Sequence, residues 1–487
     1  MLLKNLVADI YPKPISAQHQ SYEIRAIAHD SRIVGPSSLF IALKGAKSDG
    51  VDYLSQAIER GAVCIVRDHR HRTPSVADHV CLLEVDDTRA FLKEIAHRFY
   101  QHPSSHVHCI GITGTNGKTT TTYLIDSILS CAGEKCGVIG TINCRFDHKM
   151  IPLDNTTPHL LDLCAYLSQM KKTGCTCCAM EVSSHALEQG RVDGIDFQVG
   201  IFTNLTQDHL DYHKDMESYF MAKAKLFLSL KESATAVINI DDPFGQRLTS
   251  MVPSKMLSYG LHRGADVMAE HIQLGFRETN FIMSIGRNQC RITTRLVGQY
   301  NVYNILAAAA ACHALGVKIE DIRQGVENME HVPGRLESID CGQKFSVFVD
   351  YAHTDDALRN VLMNLRAVKK TRIILVFGCG GDRDKSKRVK MGRVASELAD
   401  FSIVTNDNPR SENPQEIVER IVAGFAHDRY LIILDRKDAI TRALTMAQAD
   451  DVVIIAGKGH ENYQIVKDKK IHFDDRDVAK EFLLCSR

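Results

Sequence analysis

Apolar residues in this chain follow two rhythms. Short continuous runs lie at 107–110, 177–182, 199–203, 236–240, 372–378, 401–405 and 452–456. Runs of this length read as strands buried on both faces. Elsewhere the spacing is three and four. Leu124, Ile125, Ile128 and Leu129 share one helical face, and Gly133 stands where that helix would stop. Residues 53–60 predict a second helix, ended by Gly61, and a helix from Asn301 carries the alanine run 307–311. That run has small sides and suits close packing. Strands alternating with helices predict an α/β protein.

A chain of 487 residues is too long for one core. The pattern divides it into three domains. Residues 1–106 read as a small α/β unit, with Gln101-His-Pro-Ser-Ser105 as its linker. Residues 107–332 read as a central domain built on a phosphate-binding loop. Residues 333–487 read as a C-terminal Rossmann-like, doubly wound domain.

The stretch Gly111-Ile-Thr-Gly-Thr-Asn-Gly-Lys-Thr-Thr120 lies between the first apolar run and the first helix. Strand, glycine-rich turn and helix form the setting in which backbone N–H groups wrap a polyphosphate. Gly114 and Gly117 let the backbone approach closely. Lys118 supplies a cation for the β- and γ-phosphates, and Thr119 a hydroxyl for Mg²⁺. Ile112 stands where the general P-loop pattern has its first glycine.

Charge changes the picture by subtraction. Lys plus Arg equals Asp plus Glu, so the net charge is zero and anion sites must be local. Nucleic acid is not an expected partner. No apolar run approaches the roughly 18 residues that span a bilayer, and the start lacks the pattern of a signal peptide. A cytoplasmic location is expected. The 15 cysteines are odd in number and several sit in apolar runs, as Cys177 and Cys178 do. Reduced, core-filling thiols are expected.

Polar residues gather just after the apolar runs. Glu181-Val-Ser-Ser-His185 follows one, and Asn204-Leu-Thr-Gln-Asp-His209 another. Ligands of open α/β sheets collect beyond the carboxyl ends of strands, so Glu181 and His209 are expected to face the phosphates. Near the amino terminus, the polar turns His29-Asp-Ser-Arg32 and 45–50 are weaker ligand candidates. In the C-terminal domain the runs end in Cys379-Gly-Gly-Asp-Arg-Asp384, Asn406-Asp-Asn-Pro-Arg410 and Gly457-Lys-Gly-His-Glu461. Arg388 and Arg410 suit a carboxylate and Glu461 an ammonium, which together describe an amino-acid site. Two classes remain on these residues alone. One is a ligase that activates a carboxylate with ATP. The other is a P-loop NTPase or kinase whose outer domains bind or regulate.

Several strings together carry a family resemblance. They are Thr113-Gly-Thr-Asn-Gly-Lys-Thr-Thr120, Glu181-Val-Ser-Ser-His185, Asp208-His-Leu-Asp-Tyr-His213 and Met221-Ala-Lys-Ala-Lys-Leu-Phe227. Gly298-Gln-Tyr-Asn301, Pro333-Gly-Arg-Leu-Glu337 and Asp350-Tyr-Ala-His353 complete the set. In this order they resemble the Mur ligases, and Asp407-Asn-Pro-Arg410 resembles the motif of the branch that adds meso-diaminopimelate. The resemblance implies ATP and Mg²⁺ as cofactors. It implies UDP-N-acetylmuramoyl-L-alanyl-D-glutamate and meso-diaminopimelate as substrates, in cytoplasmic peptidoglycan precursor synthesis. A folylpolyglutamate-type synthetase is the runner-up within the fold.

Residue by residue, the resemblance implies that Ser31 holds the UDP end of the nucleotide sugar. Thr156, Thr157, Ser183, Gln189 and Arg191 would contact its muramoyl-dipeptide part. Gly114, Thr115, Asn116, Gly117, Lys118, Thr119 and Thr120 would cradle ATP. Asn301 would lie near adenine, Arg335 near the phosphates and Asp350 on the ribose side. Thr119 and Glu181 would serve one Mg²⁺, and His209 and a carbamylated Lys223 a second. Arg388, Asp407, Asn408, Pro409, Arg410, Gly457 and Glu461 would receive diaminopimelate. One departure stands out: where the family reads His-Thr-Pro-Asp, this chain reads His353-Thr-Asp-Asp356, which removes a φ restraint.

Overall fold

The first apolar run is longer than its pattern suggested. In the computed structural model, which describes residues 1–45, 48–70, 76–368 and 371–485, the strand is His108–Thr113. Gly111 lies inside it because the ring of Phe197 takes the space of a side chain. A Cβ there would sit 2.8 Å from Phe197 Cε1. The phosphate loop therefore begins at Gly114. Two positions of the 45–50 turn, 46 and 47, lie outside the described residues.

Two compact units are distinguished: Met1–Thr113, Glu134–Gly200 and Met221–Ala234, and then Gly114–Gly133, Ile201–Phe220 and Thr235–Arg487. In the first unit, strands Ala26–Ala28, Ser38–Ile41, Ala62–Asp68 and Cys81–Val85 pair in that order, all parallel. Also in this unit, Cys177–Glu181 pairs parallel with both His108–Thr113 and Cys136–Ile139. Strands Cys144–Phe146 and Lys149–Ile151 extend this row antiparallel. The register sets Cys109 beside Cys178 and Cys136 beside Cys177. Cys109, Cys177 and Cys178 are buried free thiols. Burial pushes the Cys177 thiol up to about 11, as expected of core-filling groups.

In the second unit, Thr235–Asn239, Lys255–Gly260 and Val267–Leu274 pair parallel, and Thr279–Ile285 and Asn288–Thr294 follow antiparallel. A six-stranded sheet occupies the C-terminal part. Its order is Glu337–Ser338, Ser346–Asp350, Val452–Ala456, Ile373–Phe377, Phe401–Val404 and Tyr430–Ile432. Only its first pair is antiparallel. Alternate side chains of these strands enter two separate cores. Phe348, Leu375, Phe377 and Ile454 lie in one, and Val349, Ile374, Val376 and Ile455 in the other. Both faces are covered, which is why the runs read as continuously apolar. The five strands that run parallel bring their carboxyl ends, and the loops that leave them, to one edge of the sheet.

Asp355, the departure from the family pattern, is the first residue of the Asp355–Val368 helix. Thr354 Oγ1 accepts from the N–H of Ala357 at 3.2 Å and caps it. Proline suits a first helical position through its fixed φ. Aspartate suits it through the helix dipole. The turn is therefore kept by a different physical means.

Candidate functional site

The phosphate loop is shaped by what surrounds its glycines. Gly114 has φ 149°, and a Cβ there would fall 1.9 Å from Thr203 Oγ1. Gly117 has φ 90°, and its Cβ would fall 2.3 Å from Asn304 Oδ1. Thr203 Oγ1 donates to Asn116 O at 2.6 Å, and Asn116 N–H donates to Asn204 Oδ1 at 2.9 Å. Thr115 Oγ1 donates to Thr206 O at 3.2 Å. Lys118 opens the Lys118–Cys131 helix and folds back over the loop, donating to the carbonyls of Gly114 and Thr115 at 2.8 Å each. The next two residues, Thr119 and Thr120, are buried. The loop is thus a preformed nest at a helix N-terminus, suited to phosphate.

Asn301 is buried, donates to Val297 O at 2.8 Å and accepts from Asn304 Nδ2 at 3.0 Å. Asn304 links it to the loop at Gly117. It was missed in the sequence, although its i,i+3 spacing from Asn301 puts both amides on one helical face. Arg335 Nη2 donates to Thr119 Oγ1 at 3.1 Å, and Arg335 Nε is buried without a hydrogen-bond partner. A cation aimed at the loop with a donor to spare suits a phosphate oxygen. Asp350 is engaged otherwise: its carboxylate accepts the N–H groups of Leu336 and Ala352, at 2.7 and 2.8 Å. Burial raises its pKa, partly offset by Arg335 and by those N–H groups. His209 is exposed, in a left-handed conformation (φ 53°) at the cap of Leu210–His213, with Tyr219 edge-on at 6.1 Å.

In the first unit a second cluster forms around Glu181, at the end of its strand and 1% exposed. Its two oxygens accept from Thr141 N–H at 2.8 Å and Thr141 Oγ1 at 3.0 Å. Thr141 Oγ1 lies 3.1 Å from Thr156 Oγ1. Thr157 Oγ1 donates to Glu181 O at 2.8 Å and accepts from Ser183 N–H at 3.0 Å. Arg191 donates from Nη1 to Thr157 O at 3.0 Å and from Nη2 to Gln189 Oε1 at 2.7 Å. Thr156, Thr157, Ser183, Gln189 and Arg191 are therefore brought together. Thr141 joins them unforeseen, its signal being a place just past the strand Cys136–Ile139. Ser31 lies apart from this network, buried, with Oγ donating to Gln56 Oε1 at 2.5 Å. Lys223 is 1% exposed on the Met216–Leu228 helix. Lys225 instead pairs with Glu188 at 2.7 Å on the surface.

Each unit carries oxygen groups of the kind that suit Mg²⁺: the Glu181 carboxylate in the first and the Thr119 hydroxyl in the second. A buried carboxylate and hydroxyls are hard oxygen ligands, and that ion takes few protein groups. Gly140 lets the carboxylate pack directly against the backbone, since a Cβ there would fall 2.3 Å from Glu181 Oε1.

The third cluster sits at the carboxyl edge of the six-stranded sheet. Asn408 Nδ2 donates to Glu461 Oε2 at 2.9 Å. Gly457 has φ 116°, and a Cβ there would fall 2.6 Å from Asp407 Oδ2. Pro409 O packs against Gly381, where a Cβ would fall 1.9 Å away. Arg410, at φ 51°, donates to Gly381 O at 2.6 Å. Arg388 is fully buried, and its two Nη groups donate to Glu412 at 2.9 and 2.8 Å. That pairing holds the Glu412 carboxyl down at about 2. The carboxylate that meets Arg388 here thus comes from the chain itself. Glu412, two residues past Arg410, carried no sequence signal of its own.

Three family models match the chain in sequence order. They are "Mur ligase family, catalytic domain" over 23–100, "Mur ligase middle domain" over 112–312 and "Mur ligase, glutamate ligase domain" over 334–459. The chain is 43% identical over 487 residues to the UDP-N-acetylmuramoyl-L-alanyl-D-glutamate–2,6-diaminopimelate ligase of Syntrophomonas wolfei, covering 99% of this chain and 98% of the relative. It is 46% identical over 466 residues to the ligase of the same name from Geobacillus thermodenitrificans, covering 94% of each. A solved structure of a ligase of that name matches 100% of this chain and 99% of its own, with TM-score 0.73 and 33% identity.

Proposed function

Because the chain belongs to the Mur ligase family, we propose that it is the ATP-dependent ligase that joins meso-diaminopimelate to the D-glutamyl γ-carboxylate of UDP-N-acetylmuramoyl-L-alanyl-D-glutamate, in the cytoplasm. The observation that carries the reading is identity of 43–46%, over nearly the whole chain, to ligases of that name. The gathered Asn408, Glu461 and Arg410 support the choice of amino acid. Among the described residues no helix is long and apolar enough to cross a membrane.

The γ-carboxylate attacks the γ-phosphate of ATP, giving an acyl phosphate and ADP. Loop amides from Gly114 to Thr120, with Lys118 and Arg335, offset the charge on the transferring group. Thr119, Glu181, His209 and a carbamylated Lys223 are the groups that would hold Mg²⁺, which when bound neutralises phosphate charge. Thr156, Thr157, Ser183, Gln189 and Arg191 orient the muramoyl-dipeptide, and Ser31 the uridine end. The amine of diaminopimelate then attacks the acyl carbon, the tetrahedral intermediate collapses and phosphate leaves. Arg410 pairs with the second carboxylate of diaminopimelate. Lysine lacks that group and leaves the guanidinium unmatched, at a cost of about 1–3 kcal/mol.

Phosphate release from ATP, measured with the UDP-muramoyl-dipeptide and a panel of diaminopimelate, lysine, ornithine and glutamate, tests the reading. Release is expected with diaminopimelate and only weakly with lysine. Equal release with glutamate, or none with diaminopimelate, would overturn it.

A further inference from the structure

Lys458 has no part in the function so far, yet it is among the most enclosed residues of the chain. Its side chain is 0% exposed. The flanking glycines explain how it came inside. Gly457 and Gly459 both take positive φ, and a Cβ at Gly459 would fall 2.7 Å from Tyr351 Cβ. The loop is pressed flat on both sides of the lysine, whose stem runs inward. Its Nζ donates to Glu461 Oε2 at 3.2 Å and to Asn408 Oδ1 at 3.3 Å, with the Tyr463 ring centroid 5.4 Å away.

A buried cation needs compensating partners, and these two are among the polar side chains assigned above to the amino acid. The consequence for Asn408 is directional. Its Oδ1 accepts from Lys458 and, at 2.9 Å, from the N–H of Ile465. Reversing the amide would turn its NH₂ toward two donors. The amide is therefore fixed with Nδ2 toward Glu461. Glu461 accepts both Asn408 and Lys458 on Oε2, so neither bond occupies Oε1.

We propose that Lys458 is a positioning residue of the amino-acid site, which clamps Glu461 through Oε2, fixes the Asn408 amide and so presents Glu461 Oε1 to the ammonium of the incoming amino acid. This rests on the assignment of Asn408 and Glu461 to diaminopimelate. The lysine acts through them and does not touch the reacting atoms.

Lys458→Met keeps the stem and removes the charge. In this variant the KM for diaminopimelate should rise about tenfold or more, while those for ATP and the nucleotide sugar stay within about twofold. Glu461→Gln alone should also raise the diaminopimelate KM, and should add little in the Lys458→Met background, because both act on one carboxylate. An unchanged diaminopimelate KM in folded Lys458→Met, beside a raised one in Glu461→Gln, would overturn the role of Lys458 alone. So would equal rises for all three substrates, or full additivity in the double variant. No effect of Glu461→Gln would overturn the site assignment and the proposal with it. If Lys458→Met does not fold, Lys458→Gln is measured in the same way. Failure of both to fold would make Lys458 a folding residue and overturn the proposal.

Discussion

Gly117 shows how little room the phosphate loop leaves. An alanine there must hold a left-handed φ of 90° and place its Cβ 2.3 Å from Asn304 Oδ1. The backbone term costs about 1 kcal/mol or more, and displacing Asn304 disturbs Asn301 as well. Gly117→Ala should weaken ATP binding about tenfold or more and lower the melting temperature; calorimetry of both would show it, and unchanged affinity would refute it. His460 makes a pH prediction. Its ring lies 4.9 Å from Tyr351, its Nδ1 is buried without a partner, and burial, then Arg335, Arg476 and His353, hold it neutral down to about 4. The unfolded residue takes up its proton near 6.5. Between those values the unfolded chain binds more protons, so the contribution is fully present above 6.5 and is lost as pH falls toward 4. The difference in melting temperature between the protein and His460→Phe should therefore change across that window and level off above it. A constant difference would exclude the effect. Single residues were also where the sequence was least readable. Lys223 and Lys225 look alike as text, and only the family resemblance singled out Lys223. One is 1% exposed and the other forms an open ion pair. Two positions turn a helix by about 200°, but only packing says which side is inward.

Elements were far more legible, because each is set by many residues at once. The Lys118–Cys131 helix buries Leu124, Ile125, Ile128 and Leu129, the face its spacing marked. The Gln299–Ala314 helix buries its whole alanine run, as small sides suggest. Boundaries were harder: Gly111 read as the start of a turn and proved to lie in a strand, for a reason held by Phe197, 86 positions away. Helix contacts were harder still. Gly325, in the Ile319–Asn328 helix, meets the backbone of the loop's own helix. A Cβ there would fall 2.4 Å from Ile128 Cα, and Ser127 Oγ donates to Gly325 O at 2.7 Å. Backbone cannot yield as a flexible side chain would. Gly325→Ala should force the two helices apart and cost about 1–3 kcal/mol. Chemical denaturation measures this directly, and a midpoint equal to that of the parent would show that the helices separate freely.

At the scale of the whole molecule, the order of the three matched stretches could be read from motifs spread along the chain, but not which side chains tie them together. Two ties are now visible within the second unit. Arg335, from the third stretch, reaches Thr119 on the loop's helix. Asp356, in the first turn of the Asp355–Val368 helix, accepts from Thr206 Oγ1 at 3.3 Å, and Thr206 N–H in turn donates to Thr115 Oγ1 at 3.0 Å. Burial raises the Asp356 pKa, while bonds from Thr206 and Asn116 oppose the rise. Asp356 thus links the third matched stretch to the loop 114–120 through Thr206. An amide ligase needs its amine delivered to an acyl phosphate, so the chemistry depends on how well those two stretches are held together. A net hydrogen bond of this kind contributes about 0.5–1.5 kcal/mol. Asp356→Ala should accordingly lower kcat at saturating substrates about twofold to tenfold. The effect on melting temperature should be small, because Thr206 and Asn116 are partly open to water and can hydrate. ATP binding to the isolated loop site should change little, since the Gly114 and Gly117 cradles remain. Steady-state kinetics beside nucleotide titration separates the two. A loss of nucleotide affinity with unchanged kcat would make Asp356 a loop residue, and unchanged values of both would remove this contact from the route by which the two stretches close.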